Sequence, residues 1–177
     1  METRSIALRD ERPEDEEFLR HLYATTRSQE MMRVPWDDDR KAAFLRMQFQ
    51  LQTVHYRRYF PDAAFRIILS GNCPIGRIYV ASSPDGLNLM DISLLPEYRN
   101  RGIGGELVKT VMREAEALRS SVTLHVEMDN PAQHLYRRLG FRDVETRGAH
   151  ILMEWRPSHL PAGPGAAPQD QEAAPGR

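Results

Sequence analysis

The sequence predicts an α/β domain, and three observations carry that expectation. Runs of strand length, alternating or apolar, recur at Ser5 to Arg9, Ala64 to Ser70, Ile75 to Ser82, Leu87 to Leu95 and Val122 to Val126. Longer segments between them repeat apolar residues every three or four positions, the period of an amphipathic helix. Finally, Gly71-Asn72 joins two strand runs as a hairpin, and Pro84-Asp85-Gly86 turns the chain into the next strand.

Each element has a local reason. Ser5 to Arg9 alternates, and Pro13 with Asp15 opens a helix carrying Phe18, Leu19, Leu22 and Tyr23. Met31 to Trp36 reads as a break around Pro35, after which Asp37 or Asp38 caps a long second helix reaching about Tyr59. On that helix Gln48, Gln52, His55 and Tyr59 form one stripe, and Leu45, Phe49 and Tyr56 a neighbouring one. Pro96 ends the strand at Leu95, and Leu107, Val108, Val111, Met112, Ala115 and Leu118 place a helix that begins near Gly102 to Gly104. After the Val122 strand, Asn130 can cap, Pro131 suits a first helical position and Gly140 stops the helix. Phe141 to Glu145 and His150 to Trp155 close the sheet. From Pro157 onward Pro, Gly and Ala dominate, a composition that cannot bury enough to order itself. One domain over 1–156 and a disordered tail over 157–177 are therefore expected, with no internal repeat.

Composition narrows the function classes. The chain has 177 residues, 41% of them hydrophobic, enough for one core without disulfides. The single cysteine, Cys73, excludes an internal disulfide framework and a cysteine zinc cluster, and no metal is expected. A formal net charge of −1 argues against a general nucleic-acid binder. No apolar run has membrane-spanning length and no signal-peptide core opens the chain, so no membrane partner and a cytoplasmic location are expected.

The sharpest feature is Arg99-Asn100-Arg101-Gly102-Ile103-Gly104-Gly105, between a strand-like run and a helix-like run. A helix start leaves N–H groups unpaired and carries partial positive charge, and glycines let an anion approach them. A P-loop would need a Gly-Lys-Ser/Thr triplet, which is absent. A dinucleotide fingerprint would need its third glycine where Leu107 stands. What remains is Arg-x-x-Gly-x-Gly, on Arg99, Gly102 and Gly104.

Here the chain resembles the GNAT superfamily of acetyl-CoA-dependent N-acetyltransferases, whose pyrophosphate loop is Arg/Gln-x-x-Gly-x-Gly/Ala. Asn130 to Phe141, with Leu135-Tyr136-Arg137-Arg138-Leu139-Gly140-Phe141, is similar to the family's second signature, although the Asn130-to-Tyr136 gap is one residue shorter than the commonest spacing. The resemblance runs from about Ser5 to Trp155, and its specific part is Leu89 to Phe141. It implies a GNAT-type acyl-CoA N-acyltransferase fold, a central mixed sheet splayed between its fourth and fifth strands and flanked by helices. It also implies acetyl-CoA as co-substrate, held by the loop from Arg99 to Gly105, by Asn130 and Tyr136, and by backbone groups of Leu94 and Leu95 in the gap.

The resemblance further makes Tyr136 the candidate general acid, since the matching family tyrosine commonly sits by the thioester sulfur; a phenol is protonated at neutral pH and can donate to a leaving thiolate. Asp91 on the fourth strand, and His125 and Glu127 on one face of the fifth, are the candidate bases, with a water chain as a further option. Trp36, Gln48, Gln52 and His55 are expected to line the acceptor cleft. Neither stripe of the second helix is strongly acidic, so a polycation such as spermine finds no seat. The expectation is direct transfer, in a ternary complex, to a primary amine of a small molecule such as an amino acid or an antibiotic-like compound, with a homodimer compatible. Three alternatives stand beside it: a non-catalytic acetyl-CoA sensor or interaction module, a protein N-terminal or lysine acetyltransferase, and a relative using a longer acyl-CoA or an aminoacyl donor.

Overall fold

A computed structural model describes residues 5–160 of the chain. Its centre is a seven-stranded sheet in the order β1-β2-β3-β4-β5-β7-β6. The strands are β1 (Ile6–Asp10), β2 (Ala64–Ser70), β3 (Cys73–Ser83), β4 (Gly86–Leu94), β5 (Ser121–Glu127), β6 (Arg142–Arg147) and β7 (His150–Trp155). Every neighbouring pair is antiparallel except β4 with β5, the pair joined by a helical crossover. Turns at Gly71-Asn72 and Pro84-Asp85 make the β2–β3 and β3–β4 hairpins, with Ser70 opposite Cys73 and Ser83 opposite Gly86.

The helices are α1 (Glu16–Thr26), α2 (Ser28–Met32), α3 (Asp38–Tyr59), α4 (Ile103–Ala117) and α5 (Ala132–Arg138). They cover opposite faces, as alternation along a strand requires: Ile67 and Ile68 are neighbours in β2, yet belong to different cores. Ile68, Ile78, Leu87, Leu89, Leu124 and Met153 pack with Leu107, Val108, Val111 and Ala115 of α4 and with Tyr136 of α5. On the other face Ile67 packs with Leu19 and Tyr23 of α1 and Phe49 of α3. Asp37 caps α3, its Oδ1 accepting from the N–H of Arg40 at 2.8 Å.

Two local expectations change and one, at Asn130, holds. The stretch read as a break from Met31 begins inside a short helix, because α2 starts at Ser28 and seats Met31 in the interior. The cap expected at Asn130 is present, its Oδ1 accepting from the N–H of Ala132 at 2.9 Å, and Pro131 has helical dihedrals as expected of a first helical position. Pro157, expected to open the tail, is buried and begins a turn in which Leu160 N–H donates to its carbonyl at 3.0 Å. The remainder of the expected tail, 161–177, lies outside the described residues. No helix among the described residues is long and apolar enough to cross a membrane.

Candidate active site

The site begins with a failure of pairing. β4 and β5 run side by side only from Gly86 to Leu89 against Ser121 to Leu124. On the β3 side of β4, Val80 faces Leu89 while Tyr79 faces Asp91, so Met90 is an extra residue, a β-bulge. A bulge bends its strand and increases the local twist. β4 stays paired with β3 as far as Leu94, and β5 stays paired with β7 as far as Glu127, so the two strands part beyond the bulge.

The parted end of β4 carries unused backbone groups, though not all of those expected. Leu95 N–H donates to Ile75 O at 2.8 Å, so it is committed to β3 and offers nothing to a ligand. Antiparallel pairing alternates, and Leu95 turning to β3 turns the N–H groups of Leu94 and Ile92 toward the gap. The pair lining the gap is therefore Ile92 and Leu94, in place of Leu94 and Leu95. Ile92 was missed because a bulge leaves no mark in an apolar run.

Beside the gap lies the glycine-rich loop. Asn100 and Gly102 both adopt left-handed dihedrals, with φ of 58° and 81°. None of the backbone N–H groups from Asn100 to Gly105 finds a partner among the described residues, and the ladder of α4 starts with Glu106 donating to Gly102 O at 3.1 Å. This is the concave array of amides that binds anions at a helix start. A Cβ at Gly104 would meet no atom within 4 Å, so neither packing nor backbone conformation demands a glycine there. What it leaves is open space against the cleft.

That cleft has a volume of about 1350 Å³ and runs from Gly102, Gly104 and Gly105 past Ile92 and Leu94 to the α1–α2 corner. Tyr136 lines it, with its ring tilted against Phe141 at 5.7 Å between centroids. Burial, then the charge of Asp91, pushes the Tyr136 phenol up to about 12, so it is a protonated donor at neutral pH. Asn130 also lines the cleft, its Oδ1 already holding Ala132. Buried Gln133, inside the second signature but not singled out, donates to the carbonyls of Glu127 and Met128 at 3.1 and 2.5 Å and ties α5 to the end of β5.

Arg99 is on the cleft but is held inward: Nε donates to Leu94 O at 2.8 Å and Nη2 to Thr25 Oγ1 at 3.1 Å. Arg101 is exposed, with its guanidinium 5.7 Å from the Tyr98 ring centroid, and neither Arg101 nor Ile103 lines the cleft.

The three candidate bases separate. Asp91 is held at 2.6 Å by Arg77 Nη2 and at 2.6 Å by Ser93 Oγ, so both its oxygens are engaged. Arg77 is only 3% exposed and also donates to Gln52 Oε1 at 2.7 Å. Burial works against its charge, but Asp91, with Tyr79 and Tyr56, more than offsets this and the guanidinium stays ionised. Asp91 is the counter-ion of a buried cation and does not line the cleft. His125 and Glu127 do share a face of β5, but His125 is exposed away from the cleft while Glu127 lines it. Glu127 Oε1 lies 3.4 Å from Nη1 of Arg27, at the corner between α1 and α2.

None of Trp36, Gln48, Gln52 and His55 lines the cleft. Trp36 packs edge-on to Phe44 under Arg40, Gln52 is used by Arg77, and exposed His55 stacks near Tyr59. The reason is that α3 is spent on packing: Phe49 meets Tyr23, and Tyr56 meets Tyr79. The helical wall of the cleft is instead the α1–α2 corner, with residues from Thr25 to Val34.

With this geometry in view, known proteins can be compared. The paia N-acetyltransferase of Thermoplasma acidophilum, solved in complex with coenzyme A, superposes with a TM-score of 0.64 at 20% identity, covering 86% of this chain and 99% of that one. An acetyltransferase from Thermus thermophilus gives 0.65 at 17% identity, covering 88% and 99%. In sequence, an N-alpha-acetyltransferase of Sulfurisphaera tokodaii is 28% identical over 80 residues, 44% of this chain. The match spans about half of that curated relative, 47% of its length. The acetyltransferase (GNAT) family matches residues 15–141, which hold the splayed strands, the glycine-rich loop and Tyr136. This chain belongs to that family.

Proposed function

We propose that this protein transfers the acetyl group of acetyl-CoA to a primary amine of a small molecule, by direct attack in a ternary complex. The observation that carries the reading is the continuity of one cleft. It joins unpartnered amides at the start of α4, an unpaired strand edge at Ile92 and Leu94, a protonated phenol at Tyr136 and a carboxylate at Glu127. Each supplies a separate requirement of acyl transfer.

The residues fit acetyl-CoA: Gly104 leaves space where any Cβ would stand, and the amides from Asn100 to Gly105 have capacity for a pyrophosphate. Bound there, acetyl-CoA supplies a thioester, whose carbon an amine attacks with loss of a thiolate. The N–H groups of Ile92 and Leu94 then donate to the carbonyl oxygen as negative charge builds on it, the kind of preorganised contact worth about 3–4 kcal/mol in acyl transfer. Glu127 takes the proton from the incoming ammonium, directly or through water. Tyr136 holds its proton at neutral pH, gives it to the departing sulfur, and recovers one from the nitrogen as the tetrahedral adduct collapses to the amide. Asp91 holds Arg77 and stays outside the proton path.

A second reading, acetylation of a protein N-terminus, is favoured by the N-alpha-acetyltransferase relative. Calorimetric titration with acetyl-CoA, followed by thiol release against amines, amino acids and short peptides, separates the readings. Binding with turnover on small amines supports the proposal. Turnover on peptides alone selects the second reading, and binding with no turnover selects a sensor.

A further inference from the structure

We infer that the acceptor is an α-amino acid in its zwitterionic form, its ammonium received by Glu127 and its carboxylate by Arg27. The inference rests on the acetyl-transfer reading and deepens it.

Arg27 and Glu127 are 100 residues apart in sequence and meet across the cleft, Nη1 to Oε1 at 3.4 Å. The contact is loose beside the 2.6 Å pair of Arg77 with Asp91, and its side chains are 35% and 42% exposed. An exposed, long ion pair contributes little net stability, because water screens it and two flexible side chains must be held. It is therefore readily exchanged. Both residues line the cleft that Tyr136 lines, so whatever reaches the thioester from the α1–α2 side passes this pair.

The charges around the pair select what can replace it. Arg27 and Arg33 stand on the α1–α2 wall with Glu30, and Glu127 and Asp129 stand opposite. Arg33 has no ion pair among the described residues. An incoming ammonium matches Glu127 and displaces Arg27 from it. Arg27 then retains Glu30, an exposed partner three residues along the chain at 3.2 Å, and the Tyr23 ring, whose centroid lies 5.8 Å from its guanidinium. A diamine would bring a second positive charge against Arg27 and Arg33. A peptide N-terminus would present a neutral amide where the guanidinium needs an anion. An α-amino acid exchanges like for like, since its ammonium and carboxylate sit one carbon apart and replace both halves of the Arg27–Glu127 pair. Guanidinium is also the side chain suited to grip a carboxylate by two parallel bonds.

The test measures thiol release from acetyl-CoA with the full chain. It compares α-amino acids with their decarboxylated amines, their carboxamides and short peptides. The free amino acid should exceed the matched amine and carboxamide at least about tenfold in kcat/KM, because a site built for a charged group rejects the analogue lacking it. In Arg27→Gln that ratio should fall toward one, and in Arg27→Lys, which keeps the charge, much of it should survive. Melting temperature and acetyl-CoA affinity, measured alongside, confirm that each variant is folded. Equal or better turnover of the amine, carboxamide or peptide by the unmodified enzyme overturns the inference without any variant. So does a ratio unchanged in Arg27→Gln. Acetyl-CoA binding with no thiol release for any acceptor overturns the transfer reading itself, a different and separately visible failure.

Discussion

Arg99 donates from its Nε to the carbonyl of Leu94 at 2.8 Å, so the first arginine of the glycine-rich loop braces the free end of β4. Its Nη2 continues to Thr25 at the end of α1, 3.1 Å away, joining the parted strand to the α1–α2 corner. Arg99 therefore holds the two halves of the cleft in register, in addition to its charge beside the amides.

Arg99→Ala should accordingly disturb both substrates. Two hydrogen bonds are lost, worth about 1–3 kcal/mol together, and the Leu94 edge is freed to move. The expected outcome is a lower kcat with raised KM for acetyl-CoA and for the acceptor alike. Arg101→Ala, altering an exposed side chain outside the cleft, should touch acetyl-CoA affinity alone. Steady-state kinetics with each substrate varied decides this; an Arg99→Ala effect confined to acetyl-CoA would return that residue to a simple phosphate contact.

Gly104 separates stability from binding. A Cβ there meets no protein atom, and alanine is a better helix former than glycine by about 1 kcal/mol. Gly104→Ala should leave melting temperature unchanged or higher. Gly104→Val, with more bulk in the same space, should weaken acetyl-CoA at least about tenfold, near 1.4 kcal/mol. Calorimetry beside thermal melting checks both halves, and undiminished affinity in folded Gly104→Val would remove the loop assignment.

Tyr136→Phe keeps the ring against Phe141 and removes only the hydroxyl. Turnover should fall about 10- to 100-fold, with acetyl-CoA affinity nearly unchanged. The pH dependence follows from a folded value of about 12 against an ordinary 10.0. The folded state favours the neutral phenol, so this contribution to stability is complete below pH 10 and is lost as pH rises from 10 through 12. Denaturant midpoints across that window should fall less steeply in Tyr136→Phe, and an identical slope would contradict the environment assigned to the hydroxyl.

Asp91 should behave as a structural counter-ion. Asp91→Ala leaves Arg77, only 3% exposed, without its charge partner, and breaking such a buried pair costs about 3–5 kcal/mol. Replacing both partners, Arg77→Met with Asp91→Leu, should cost much less, since no bare charge remains. Urea midpoints for the single and double variants test this. If Asp91→Asn instead preserved stability while abolishing the acid limb of the rate profile, Asp91 would be the proton acceptor after all.

Much of this architecture was legible in the sequence because it is written in local chemistry. Asp37 caps α3, Gly71-Asn72 turns β2 into β3, and Gly102 takes the left-handed start of α4, each fixed by one or two residues. The fold and the glycine-rich turn into α4 followed from such signals together with a family resemblance. The long-range choices were not legible. Polar residues on α3 looked suited to a cleft, yet Gln52 serves a buried arginine on β3 that no periodicity flags. Arg27, Ser93 and Ile92 gain their places from the bulge at Met90 and the α1–α2 corner, which depend on strands brought together from distant parts of the chain.

The α1–α2 corner and α3 give the most direct contrast between the two sides of the molecule. His55 is exposed on α3 and Gln48 lies on the same helix, and neither reaches the cleft. Their alanine variants should leave the acceptor KM within about twofold. Gln52→Ala should lower melting temperature, because Arg77 loses a neutral partner in a buried setting, while kinetic constants of the surviving folded enzyme change little. Glu127→Gln should do the opposite. Its side chain is 42% exposed, so stability should move by less than about 1 kcal/mol. Its carboxylate lines the cleft and is the base of the proposed reaction, so kcat/KM for the acceptor should drop at least about tenfold with acetyl-CoA affinity preserved. Measuring both Michaelis constants and the melting temperature for all four variants distinguishes a chemical effect from a loosened fold. A rise in acceptor KM in His55→Ala, with Glu127→Gln indifferent, would mean that the amine enters over α3 and that the α1–α2 corner is only scaffold.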